Sequence, residues 1–191
     1  MSGRFEDARG SVSEAKRIAD EFALRVRQGV NAQYAGQVEL LAGDLESAEH
    51  ELRTGYELLG SLGESAFRAS VGEYLAEVLY QQGRYVEAAD VLEVEAPEID
   101  ALRGKIKARM GDIEEGERLA RRGVEELEAG DFLDARAKAS MDLGEVLRLA
   151  GRPREAADAL ADAVRLHEEK GNIVSAEAAR GLLREVAPLP R

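Results

Sequence analysis

Two histidines, His50 and His167, are the only imidazoles in the chain, and each is followed by glutamate. That dipeptide opens the H-E-x-x-H pattern, which sets two imidazoles on one helical face to hold zinc. Here the positions four residues on are Thr54 and Gly171, and the chain has no cysteine to complete a ligand set. Both histidines therefore read as exposed residues on helix surfaces. The paired carboxylates Glu114–Glu115 and Glu168–Glu169 fail differently. Neighbours on a helix point to different faces, whereas general acid–base catalysis needs carboxylates sharing one cleft. No G-x-x-x-x-G-K-[ST] phosphate loop and no D-x-D-x-D-G calcium loop occurs. The expectation is a protein with no catalytic residues, no metal and no cofactor, hence not an enzyme.

Composition narrows the class further. The 191 residues carry a formal net charge of −12, with five Tyr, four Phe and no Trp. Such a field repels phosphate backbones, so a nucleic-acid partner would need a local basic stripe. The tightest cluster, Arg118, Arg121 and Arg122, is interleaved with Glu114, Glu115 and Glu117. No nucleic-acid partner is expected. No signal peptide opens the chain and no apolar run approaches the ~20 residues of a membrane span. The reading is a soluble, cytoplasmic protein without a membrane partner.

The elements that carry these residues are helices. Phe5, Ala8, Val12, Ala15, Ala19 and Phe22 recur at three- and four-residue steps. Forty residues on, the same face returns as Leu45, Ala48, Leu52, Gly55, Leu59 and Leu62. Gly3, Gly43 and Gly83 keep the interval of 40, Gly111 follows after 28, and Gly151 after 40 again. The last two intervals together span twice the usual repeat of about 34 residues. A second set, Gly63, Gly130 and Gly171, marks the turns between hairpins, where a left-handed residue suits a helix end. The pattern predicts helices over 5–22, 25–42, 45–60, 65–82, 85–95, 97–110, 113–128, 132–150, 153–169 and 173–186. Helix 85–95 should be short, because Glu95 stands where other units carry a small residue. A deletion absorbed in a loop and a hinge are both open readings of that place.

The stretch LAEVLYQQGRYVEAADVL (75–92) resembles a tetratricopeptide helical hairpin. It has large and small residues at helical spacing, a turn glycine, then Tyr85, Ala88, Ala89 and Leu92. The fold expected is all-α, a right-handed solenoid of about ten antiparallel helices in one domain, 1–191. Its units would be a half repeat 1–22, repeats 23–62, 63–96, 97–130 and 131–170, and a half repeat 171–191. With VELLAGDLESAEHELR (38–53), MDLGEVLRLAGRPREAADAL (141–160) and EEKGNIVSAEAAR (168–180), the chain is similar to the C-terminal repeat region of large bacterial signalling regulators. In those, a class III adenylate or guanylate cyclase domain, or another regulatory domain, precedes a nucleotide-binding ATPase module and a long tetratricopeptide array. The resemblance implies a sensing or protein-binding segment; no cyclase or ATPase domain lies in these 191 residues.

In such arrays the first helix of each hairpin lines a concave groove. Counting back from the turn glycines places Gln33, Tyr34, Gln37, Glu73, Tyr74, Glu77, Tyr80 and Gln81 there in the front half. Lys105, Arg109, Lys138, Met141, Glu145 and Arg148 follow in the rear half. The expected groove is aromatic and acidic at one end and basic at the other, suited to a protein or peptide of reversed polarity. The Lys/Asn/Arg carboxylate clamp of chaperone-binding relatives is replaced by Gln33, Glu73, Ala101 and Met141, which disfavours a chaperone tail as ligand. The alternative reading is a self-association module. Phe5, Val12 and Phe22 belong to a second helix lacking its first-helix partner, which suggests a homodimer through terminal helices.

Overall fold

The computed structural model describes residues 4–92, 97–128 and 130–186, all of its regular structure being α-helix. In chain order the helices are α1 (Phe5–Glu21), α2 (Arg25–Ala42), α3 (Leu45–Ser61), α4 (Ser65–Gln81) and α5 (Tyr85–Asp90). They continue as α6 (Pro97–Arg109), α7 (Ile113–Glu128), α8 (Leu133–Leu149), α9 (Pro153–Lys170) and α10 (Ile173–Val186). The all-α class is as expected, and most boundaries lie within a residue of those the pattern predicts. The chain forms two compact units, residues 1–94 and 95–191. The first holds α1–α5 and the second α6–α10. The fifth helix is short, ending at Asp90; residues 93–95 of its expected span lie outside the described residues.

The turn glycines do the work their spacing implies. Gly43, Gly63, Gly83, Gly111, Gly151 and Gly171 all have positive φ, between 72° and 100°. The residue after each turns back on the finished helix. Asp44, Arg84 and Arg152 donate their N–H groups to the carbonyls of Glu39, Leu79 and Leu147 at 2.9–3.0 Å. This is the six-to-one bond of a Schellman ending, which needs a left-handed residue in its middle. Forty residues before Gly63 that residue is Ala23, held at φ 50°, while Leu24 N–H reaches Ala19 O at 2.8 Å. The repeat geometry thus overrides the steric preference of a Cβ-bearing residue. At Gly130, which follows a residue outside the described ones, the N–H meets Leu127 O at 3.2 Å. Gly3 lies outside the described residues.

Packing within each unit follows from small residues at the crossings, where helix axes can approach most closely. In the first unit α3 buries Ala48, Leu52, Gly55 and Leu59, a three-and-four-residue stripe. Leu52 and Leu59 fill hollows over α2: a Cβ on Gly36 would lie 2.4 Å from Leu52 Cγ, and one on Gly29 2.6 Å from Leu59 Cγ. In the second unit the α6–α7 crossing is closer still. A Cβ on Gly104 would lie 2.4 Å from the Gly116 carbonyl oxygen, and one on Gly116 2.7 Å from that of Gly104. Behind this crossing Ala120, Leu143, Val146, Leu147, Leu160 and Val186 form a common core.

Candidate functional site

In the first unit, α2 and α4 pack against each other. Their opposite sides differ in chemistry. α2 buries Gly29, Asn31, Ala32, Ala35 and Gly36, and the Asn31 amide donates to Ala15 O at 2.9 Å. The residues expected in the groove lie off that stripe. Tyr34 is 50% exposed, Gln81 is exposed, and Gln33, Gln37, Glu73, Tyr74, Glu77 and Tyr80 are half-buried. None of the eight is part of the buried core. Tyr80 is steadied by the Tyr85 ring of α5 at 5.4 Å, and Gln81 donates to Glu77 at 2.9 Å. These residues place amide, carboxylate and phenol groups on α2 and α4 outside the buried stripe.

The second unit does not carry the free basic surface that counting from the turn glycines suggests. Lys105 is buried, its ammonium 2.6 Å from the equally buried Asp142 of α8. Arg109 and Arg148 both pair with Glu145, the latter at 2.7 Å. Lys138 is half-buried, and Met141 packs against the apolar core. Ala101, at one of the clamp positions, is also buried. Lys105 and Arg109 on α6 are thus compensated inside the unit by Asp142 and Glu145 on α8. A third carboxylate, buried Asp100, receives the Arg122 guanidinium of α7 at 2.7 Å.

The structure also assembles two rings of charge that single-residue reasoning does not reveal. On α3, Glu49 accepts from Arg53 at 2.6 Å and from Arg84 at 2.8 Å. Glu87 closes the ring, pairing with Arg84 at 2.6 Å and Arg53 at 3.3 Å. Sixty-eight residues later every member recurs as Glu117, Arg121, Arg152 and Glu155. Arg121 reaches Glu117 at 2.8 Å and Glu155 at 3.1 Å, and Arg152 pairs with both carboxylates. Each ring ties one second helix to the start of the next.

Burial would push the Glu49 carboxyl up, but hydrogen bonds from Arg53, Gln82 and Arg84 outweigh it and bring its pKa to about 2. The folded state therefore holds this carboxylate ionised where the unfolded chain protonates it, near 4.5. Its contribution is complete above that value and lost as pH falls from it toward about 2. Glu49→Gln is expected to cost about 1–2 kcal/mol at pH 7, with partial exposure of the arginines limiting the figure. In urea titrations followed by circular dichroism, the gap from the parent should narrow steadily between pH 5 and pH 3. A gap independent of pH would show that the ring contributes packing and not charge.

His50 is exposed, as expected, but His167 is not: only 3% of it is accessible. It continues the buried stripe Ala156, Leu160, Ala163 on α9. The same repeat position holds Ala19, Leu59 and Leu127, all buried. That register was the signal available in the sequence. Neither imidazole nitrogen makes a hydrogen bond. The nearest charge is Asp134 of α8, its Oδ1 3.4 Å from Nδ1 and accepting from Asn172 at 3.1 Å. His167 is the main influence holding the Asp134 carboxyl below its usual range. Because a buried imidazole that makes no hydrogen bond is costly, and its contact with the largely exposed Asp134 offsets only part of that cost, His167→Leu should stabilise the chain by about 1 kcal/mol. A lowered urea midpoint would assign the imidazole a partner that leucine cannot replace.

Among the described residues no group of three or more His, Cys, Asp or Glu is placed to hold a metal ion, and no helix is long and apolar enough to cross a membrane. No family model matches the chain, and no match is found among curated proteins. Among solved structures it is similar to the crystal structure of BtubC (BKLC) from P. vanneervenii. The two share 17% identity with a TM-score of 0.56, over 100% of this chain and 96% of that one. At that identity the likeness concerns the fold alone.

Proposed function

We propose that this chain is a tetratricopeptide-like helical scaffold that binds a protein or peptide segment through the α2 and α4 faces. It would serve as the interaction or sensing segment of a larger bacterial signalling or transcription regulator. The observation that carries this reading is the accessible Tyr34 face. A half-exposed tyrosine on a rigid helix, flanked by Gln33 and Gln37, offers contact area at low entropic cost and has no part in the buried core. Repeat arrays devote such faces to extended ligands. The test is a photo-crosslinking residue at position 34, with an outer-face position, Glu57, as control. A protein captured at 34 and not at 57 supports the reading. Equal capture at both, or none at 34, contradicts it.

A specific observation favours a second reading, self-association through the terminal helices. Phe22 and Leu24, at the α1–α2 turn, are 65% and 47% exposed. Sedimentation at micromolar concentration separates the two: a concentration-dependent dimer supports self-association, and a strict monomer leaves the scaffold reading.

A further inference from the structure

The charge rings have an open half. In each closed ring, the arginine just before a second helix and the glutamate three residues later receive a Glu-x-x-x-Arg pair from the second helix before. Those receiving pairs are Arg84 with Glu87 and Arg152 with Glu155. Eighty residues before Arg84 and Glu87 stand Arg4 and Asp7, at the start of α1. The backbone at Arg4 has φ −75° and ψ 56°, close to the −91° and 60° of Arg84. Ala8 N–H bonds to Arg4 O at 3.0 Å, as Ala88 N–H does to Arg84 O at 2.9 Å. The side chains of Arg4 and Asp7 are exposed, and neither forms an ion pair among the described residues.

An apolar observation agrees independently. The stripe that is fully buried on α3 (Ala48, Leu52, Gly55) and on α9 (Ala156, Leu160, Ala163) has its counterpart on α1 in Ala8, Val12 and Ala15. On α1 all three are only half-buried.

We infer that the α1 edge is a docking surface for a helix–turn–helix of the same repeat kind. Its first helix would carry Glu-x-x-x-Arg to close a third ring on Arg4 and Asp7. Its second would lie along Ala8, Val12 and Ala15. The charge pattern argues against a second copy of this chain stacked end to end. On α9 the positions matching the Glu and the Arg are Ala157 and Ala161, and the pairs on α3 and α7 are already engaged. This surface is distinct from the α2–α4 face, so either assignment can fail while the other stands.

The probe is the chain's own matched segment. Residues 45–82, which hold the α3 and α4 sequences, are fused directly ahead of Gly3, setting a second Glu49 and Arg53 at the 40-residue register. Helical signal should rise by the added segment, and amide exchange in α1 should slow about tenfold. A double-mutant cycle between the added Glu49 and Arg4 should show a coupling of about three- to tenfold in the unfolding equilibrium. Restoring the pair in reverse, added Glu49→Arg with Arg4→Glu, should recover most of it. No coupling, or unchanged exchange in α1, would overturn the inference. So would a dimer of the unmodified chain that Arg4→Ala abolishes, because the occupant would then be a second copy.

Discussion

Replacing Asp142 with alanine is expected to cost about 3–5 kcal/mol, the largest loss for any single side chain described above. The reason is what remains. Lys105 is buried beside Asp142, with side chains only 7% and 6% accessible and the charges 2.6 Å apart. Removing the carboxylate leaves an ammonium in a low-dielectric setting without its counter-charge, and the chain must then bury a charge or open to hydrate it. The double replacement Lys105→Met with Asp142→Leu removes both charges at similar volume. It should return to within about 1–2 kcal/mol of the parent, because an intact buried pair contributes little net stability over apolar packing. The chain has no Trp, so unfolding in urea is followed by circular dichroism at 222 nm. A double variant as unstable as the single one would mean that the pair organises more of the α6–α8 seam than its own charges.

The second large effect is one of sign. Intrinsic helix propensity favours alanine over glycine by about 1 kcal/mol in a helix interior. Gly10→Ala on α1, where nothing lies within 4 Å of the added Cβ, should show that gain. Gly104→Ala should instead destabilise by about 2–3 kcal/mol, since its Cβ would meet the Gly116 carbonyl oxygen at 2.4 Å and the Ala120 nitrogen at 2.8 Å. Both obstacles are backbone, so no rotamer change relieves them, and α6 and α7 must move apart. Equal and favourable effects at the two positions would mean that the crossing is looser than described.

What the sequence made legible was whatever repeats within a single helix or a single turn. The 40-residue glycine interval and the small-residue stripe suffice for the helices and their order, because each signal is local. Lys105 was misplaced for a different reason. Its spacing from a turn glycine describes a direction on α6, whereas its burial depends on Asp142 arriving from α8. His167 was misjudged by residue type, although its register with Leu59 and Leu127 marks a core position. The rings were visible in principle, since Glu-x-x-x-Arg and Arg-x-x-Glu each recur at 68 residues. Their pairing across 34 or 35 residues of chain needs the stacked helices to be seen. On α2 and α4 the residues expected to line a groove do lie off the buried stripe, Tyr34 and Gln81 being exposed and the other six half-buried; whether they meet a ligand is not written in a spacing pattern.

That face is where the account is most directly tested. Once a partner is captured at position 34, its affinity for the parent chain is compared with that for Tyr34→Ala, Tyr74→Ala and Glu57→Ala. All three variants should keep the parent's helical signal. Loss of roughly 1–3 kcal/mol of binding at Tyr34 and Tyr74, with none at Glu57, is the predicted result. Unchanged affinity at both tyrosines, in proteins that remain folded, would contradict it.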